Sequence, residues 1–249
     1  MADPNALGSE MPFTHHLAEL RQRLSRALLG MCVATIITYN WSELLFAMLT
    51  GPIRDSFTDF ELIGTGPSEA FVCKLKVSIA AGILISAPYS FYQLWLFILP
   101  GLHENERRFA VPFILGSTLF FLLGTGFCFY VVLPFAFQFF SEEFVSIGVR
   151  PNIRIGEYLG FVMKMCLVFG VVFELPILSY FLARMKMLTH TFLLKNLRYA
   201  IVIIFIVAAI LTPPDVVTQC LLAVPLVIIY GMCIAVAYYT APRETPPQG

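Results

Sequence analysis

Six long apolar stretches, separated by polar or Gly/Pro-rich connections, limit what this chain can fold into more than any other feature. They run roughly over 24–49, 69–99, 109–138, 158–182, 199–211 and 216–239. About 20 consecutive apolar residues cross the hydrocarbon core of a bilayer as a helix. The fold class is therefore all-α and polytopic, with six transmembrane helices. Composition agrees, since 58% of residues are hydrophobic and only 13% charged, against about 25% charged in ordinary soluble domains. The formal net charge of zero, from 16 basic and 16 acidic residues, gives no electrostatic case for nucleic acid as a partner. Cys32, Cys73, Cys128, Cys166, Cys220 and Cys233 stand singly, with no CxxC and no Cys/His cluster. Neither a disulfide framework, a metal site nor another cofactor is expected.

The spans differ in length. At 1.5 Å per residue the second and third measure about 45 Å, more than the roughly 30 Å of hydrocarbon, so they should tilt or project. The fifth and sixth spans are expected to be short, the fifth reaching about 20 Å before Thr212-Pro213-Pro214-Asp215 stops it. Asp215 is expected to cap the sixth helix. Pro88, Pro112, Pro134, Pro176 and Pro225 favour kinks. An even number of spans puts both termini on one side. With the N-terminus inside, the inner segments hold Arg21, Arg23, Arg26, Arg107, Arg108, Arg184, Lys186, Lys195, Arg198 and Arg243, and the outer ones Arg54, Lys74, Lys76, Arg150 and Arg154. The positive-inside rule then makes both termini cytoplasmic. Residues 1–12 read as a disordered leader with no cleavable signal, 13–23 as a cytoplasmic amphipathic helix, 24–239 as one membrane domain and 240–249 as a tail. Trp41 and Tyr39 suit the outer aromatic belt and Trp95 the inner one. The outer loops are expected to form a cap.

Charges inside or beside hydrocarbon mark candidate sites. The fourth span carries Lys164, read as snorkelling to the outer interface, and Glu174, whose short stem needs a polar partner or a proton. Before the first span, Phe13, Leu17, Leu20, Leu24 and Leu28 form one helical stripe with Glu19, Arg23 and Arg26 to one side and Thr14 as a possible cap. Glu19 and Arg23 have the spacing of a helix pair. The inner segment LPGLHENERR sets Glu104 and Glu106 beside Arg107 and Arg108. No HExxH, GxSxG or intramembrane aspartate pair is present, so an enzyme is not expected. A secondary transporter for a small solute is the alternative, although no internal repeat supports it.

HLAELRQRL at the start, YQLWLFILPGLHENERR after the second span, FGVVFELP in the fourth and LTPPDVVTQCLLAVPL at the fifth turn together resemble the TatC family. That family supplies the multi-spanning subunit of the twin-arginine translocase, and the likeness covers the chain from Phe13 to about Tyr239. It implies a receptor in the bacterial inner membrane for the signal peptides of folded proteins. TatA-type and TatB-type single-span subunits, further copies of itself and membrane lipid would be its partners, with the proton-motive force driving export. By resemblance Glu106 and Glu19 contact the arginine pair, with Phe97, Pro100 and Arg21 in the same recognition site. Glu174 and Gln219 fall to a polar partner site within the membrane. Two guanidiniums stay charged at any physiological pH and match carboxylates as rigid forks, which a lysine pair does less well.

Overall fold

The structure is a computed structural model that describes residues 13–57, 60–98, 110–212 and 215–240. Its first helix, α1 (Phe13–Tyr39), runs unbroken from the amphipathic segment into the first apolar stretch. Thr14 therefore lies inside the helix and not at its cap. Leu17, Leu20, Leu24 and Leu28 form an exposed stripe, the arrangement expected where lipid is the solvent.

The first stretch does not continue straight to Leu49, as its apolarity suggested. It stops at Tyr39 and turns by 89° into α2 (Ser42–Leu49) and α3 (Gly51–Ser56). Packing drives the turn, because Leu45, Phe46 and Leu49 lie against the core and Ile53 is completely buried in it. Pro52 in the first turn of α3 costs no backbone hydrogen bond there.

Strand β1 (Glu61–Ile63) then pairs in parallel with β2 (Asn152–Arg154), Leu62 opposite Ile153. The two connecting loops thus form the expected cap over one end of the bundle, called here the cap end. Glu69 opens α4 (Glu69–Ile98) and fastens this end. Its carboxylate accepts from the Thr65 N–H and hydroxyl, from Gly66 N at 3.3 Å and, across 87 positions, from Gly156 N at 3.1 Å. Tyr158 adds a bond from its hydroxyl to the Leu49 carbonyl at 2.6 Å.

α4 and α1 cross with backbones close together. A Cβ on Gly82 would lie 2.9 Å from the Thr35 backbone, one on Gly30 would meet the Tyr89 ring at 2.6 Å, and Thr38 Oγ1 donates to the Ser78 carbonyl at 2.8 Å. Small residues and hydroxyls are what allow such an approach where lipid supplies no hydrophobic drive between helices.

From the far end, α5 (Ala110–Phe127) returns toward the cap through a π turn (Cys128–Val132) into α6 (Leu133–Ser146). Pro134 has no N–H for the Tyr130 carbonyl and would crowd it, which accounts for the wide turn just before it. α7 (Ile155–Phe173) descends and breaks at Glu174 before α8 (Leu175–Arg184), where Pro176 again removes a backbone donor. Gly124 and Gly170 let α5 and α7 touch, since a Cβ on either would lie 2.6–2.7 Å from the other helix. Of the five prolines expected to kink helices, Pro88 and Pro225 instead sit inside unbroken ones.

A short helix, α9 (His190–Lys195), leads into α10 (Leu197–Leu211) and α11 (Val216–Thr240). The fifth apolar segment is short, as expected. The sixth is not: α11 has 25 residues, because Asp215 caps it at once, accepting from Thr218 N at 2.7 Å and from the Thr218 hydroxyl, and Pro225 does not end it. Among the described residues four helices are long and apolar enough to cross a membrane outright. The bent α1–α3 pair makes a fifth, and α10 is a shorter apolar helix. Trp95, expected in an aromatic belt, is instead 1% exposed, packed 4.9 Å from both Phe113 and Phe181. Trp41, in contrast, is exposed at the cap end.

Gly82→Leu should cost roughly 1–3 kcal/mol or prevent folding by overpacking the α1–α4 crossing. Gly160→Ala, with nothing within 4 Å, should leave thermal unfolding in detergent unchanged or slightly later. Glu69→Ala should speed amide hydrogen exchange at Thr65, Gly66 and Gly156 by about tenfold or more, since bonds to a charged acceptor are lost.

Candidate functional site

At the far end the α1–α4 crossing carries site residues toward one another. Gly30 faces Tyr89 and Thr35 faces Gly82 in antiparallel register. One further step along α1, from Gly30 back to Glu19, is matched by about nine to eleven residues along α4, which ends at Ile98. Glu19 thus lies opposite the last turn of α4, where Phe97 is half-buried and from which segment 99–109 departs. Glu106, Pro100 and Glu104 lie in that segment, outside the described residues. Arg23 Nη2 donates to Glu19 Oε1 at 3.3 Å, and the two side chains are only 23% and 16% exposed. The helix pair is real, yet among the described residues it leaves Arg23 Nε buried without a hydrogen-bond partner. Arg21, about 200° further round the helix from Glu19, is exposed.

Glu174 occupies the α7–α8 break. Its N–H donates to the Val171 carbonyl at 3.1 Å and its own carbonyl accepts from Leu178 N at 2.9 Å, so the backbone is satisfied through the break. The side chain is not. Its carboxyl faces Ser117 and the Phe121 amide on α5, but among the described residues Glu174 Oε1 and Ser117 Oγ are both buried without a hydrogen bond of good geometry. A carboxyl held in this way is an acceptor, or when protonated a donor, waiting for a partner. Two apolar clefts of about 320 and 250 Å³ flank the break and share Phe120 and Pro176 in their walls.

Gln219 does not join this site. Its amide donates to the Phe205 carbonyl at 3.0 Å. The α8–α11 contact, where Ser179 Oγ donates to the Cys233 carbonyl at 3.0 Å, sets Glu174 roughly level with Ile228, about 14 Å along α11 from Gln219. Lys164 is exposed on α7, in keeping with a snorkelling side chain.

Toward the cap end a groove of about 720 Å³ lies between α2–α4 and the α5–α7 pair, lined by Leu45, Met48, Val77, Ala81, Leu122 and Leu167 among others. Asp55 stands among its lining residues, and Phe121, whose amide faces Glu174, also lines it. Ser117 and this groove were missed in the sequence. The Gly-Ser-Thr run at 116–118 inside an apolar stretch was the available signal for the first, whereas the groove arises from three separate segments.

Fold and site together define a multi-pass helical membrane protein with a buried carboxyl at a helix break. The family described as Sec-independent protein translocase protein TatC matches residues 15–225. A TatC protein of Desulforapulum autotrophicum is 45% identical over 90% of this chain and 83% of its own length. One from Helicobacter pylori is 40% identical over 91% and 87%. A crystal structure described as the twin arginine translocase receptor TatC superposes with a TM-score of 0.82 at 36% identity, covering 89% of this chain and 97% of the other. The chain belongs to the TatC family, components of a protein translocase and not of a known enzyme, and this displaces the solute-transporter alternative.

Removing the orphan carboxyl should not weaken the fold. Glu174→Leu is expected to unfold at the same or a higher temperature than the wild type, because a carboxyl oxygen buried without a well-formed hydrogen bond among the described residues is removed. A clear fall in the midpoint would mean that the carboxyl already makes a bond that stabilises the fold.

Proposed function

We propose that this chain is the signal-peptide receptor of a twin-arginine translocase. The observation that carries the reading is the α1–α4 register, which sets the shielded Glu19 beside the point where the segment bearing Glu106 leaves α4. Two carboxylates at an interface of reduced dielectric suit two adjacent guanidiniums, each able to take a bidentate bond. Phe97 and Pro100 would border the same recognition surface. Arg21 sits close in sequence but on another face, so its part is to bind headgroups rather than the peptide.

The hydrophobic portion of the peptide would lie along the bent bundle toward Glu174. That carboxyl would take a polar group from the peptide or from a TatA-type or TatB-type single-span subunit, where water offers little competition. Gln219, bonded to Phe205, would serve a separate contact. The reading also places the chain, in several copies per complex, in the bacterial inner membrane with both termini cytoplasmic, and it takes the proton-motive force as the driving energy. The Lys/Arg bias supports the orientation.

Binding of a signal peptide to the purified, detergent-solubilised protein tests this. An Arg-Arg peptide should bind more tightly than its Lys-Lys counterpart, and Glu106→Ala or Glu19→Gln should each weaken binding about tenfold or more, the worth of a charge-assisted bond. Equal binding by both peptides and all three proteins would sink the assignment.

A further inference from the structure

Between Glu174 and Asp215 the chain has no acidic residue, yet it places Arg184, Lys186, His190, Lys195 and Arg198 within 15 residues of one another. All four of the lysines and arginines are exposed. Cations nearer the cap end are differently supplied: Lys74 donates to Glu43 at 2.7 Å and Arg154 to Glu157 at 3.3 Å. Lys186, Lys195 and Arg198 have no acidic partner among the described residues.

This basic face is built and not merely exposed. Thr189 caps α9 by accepting from Phe192 N at 3.3 Å, Leu193 is buried, and its carbonyl accepts from the Tyr230 hydroxyl at 2.9 Å. His190 meets Tyr238 edge-on at 5.2 Å. Arg198 lies 4.8 Å over the Tyr199 ring and donates to its hydroxyl at 3.2 Å. Lys186 holds the left-handed conformation, with φ 60°, in the turn that ends α8. Glycine or asparagine is the usual residue there, so Lys186 stands where the backbone disfavours its side chain.

Exposed Met187 and Phe192 alternate in sequence with these cations, so the connection offers apolar groups for acyl chains as well as charges for headgroups. The following helix α10, with 15 residues, is only about 22 Å long, against roughly 30 Å of hydrocarbon. A helix so short draws the headgroup plane toward its ends, and α9 stands at one of them.

We propose that the α8–α10 connection binds anionic phospholipid, holding the phosphate of a phosphatidylglycerol-class headgroup with Lys186, Lys195 and Arg198. The site does not depend on the signal-peptide reading, although it stands at the same end of the bundle, where Met185 after α8 and Ile98 of α4 pack against one aromatic cluster.

Native mass spectrometry of the full chain in detergent, titrated with phosphatidylglycerol and with phosphatidylcholine, tests it. The wild type should retain phosphatidylglycerol in preference. Lys195→Gln/Arg198→Gln should lower that retention by about twenty-fivefold, roughly fivefold for each surface cation removed, without changing retention of phosphatidylcholine. Lys186→Gly, which suits the backbone at that turn, should also lower it, and the cap-end pair Arg150→Gln/Arg154→Gln should not. An unchanged preference in the α9 variants would overturn the proposal and leave the face to an acidic polypeptide. A loss shared equally by the cap-end pair would overturn it as well, by showing a diffuse charge effect.

Discussion

The close crossing of α1 and α4 is the contact on which the remaining geometry depends. Gly82 admits the Thr35 backbone, and Thr38 donates into the Ser78 carbonyl, so register and separation are set by close backbone approach and by a hydrogen bond between the helices. Once that register is fixed, its two ends follow. One brings the chain out as α2 and α3 over the core, where Ile53 is enclosed. The other carries Glu19 to the end of α4. A slip of one turn would separate Glu19 from Phe97 and empty the place that Ile53 fills.

Polar groups in this bundle fall into two kinds. Those at the cap end are fully used: Glu69 accepts four bonds, Tyr158 reaches Leu49, and Asp215 caps α11. Glu174 and Ser117, in the middle of the bundle, face each other without bonding well. An unmet group in an apolar setting lowers stability, and a native fold retains few of them. Glu174 lies at a proline-associated break, where the helix is least able to offer its own backbone as a substitute partner. Under the proposed reading, stability is given up here for an acceptor that stays available to an incoming segment.

Much of this arrangement was legible in the sequence. The apolar runs located every long helix, since length and continuity of hydrocarbon decide that question. Asp215 announced its cap, and Pro176 the break beside Glu174. Where the reading went astray, tertiary contacts had overridden local pattern. Nothing at Asn40 and Trp41 marks a turn of 89°, which exists because Ile53 and Leu49 are better buried over the bundle than extended from it. Trp95 looks like an interfacial residue until Phe113 and Phe181, from two later helices, close around it. Gln219 lies in a segment whose resemblance suggested a shared polar site, but helix register puts it well away from Glu174. Of the proposed recognition site, the family resemblance named the acids, and the α1–α4 register adds that Glu19 lies opposite the last turn of α4, where Phe97 stands.

The π turn at Cys128–Val132 gives the long α5–α6 helix a change of phase. Each residue advances an α-helix by about 100°, and the wide turn absorbs one residue more than an α turn would. Below it the buried positions are Ser117, Phe121, Gly124 and Cys128, and above it Leu133, Ala136 and Phe137. Counted as an uninterrupted α-helix, the second set would point about 140° away from the first. Subtracting one residue narrows that offset to about 40°, so a single helix can seal against α7 below and against α3 above. The bulge therefore acts as a splice between two hydrophobic patterns that are out of step in the sequence, and it lets this helix tolerate a change of length at a point where a straight one would turn its core face into lipid.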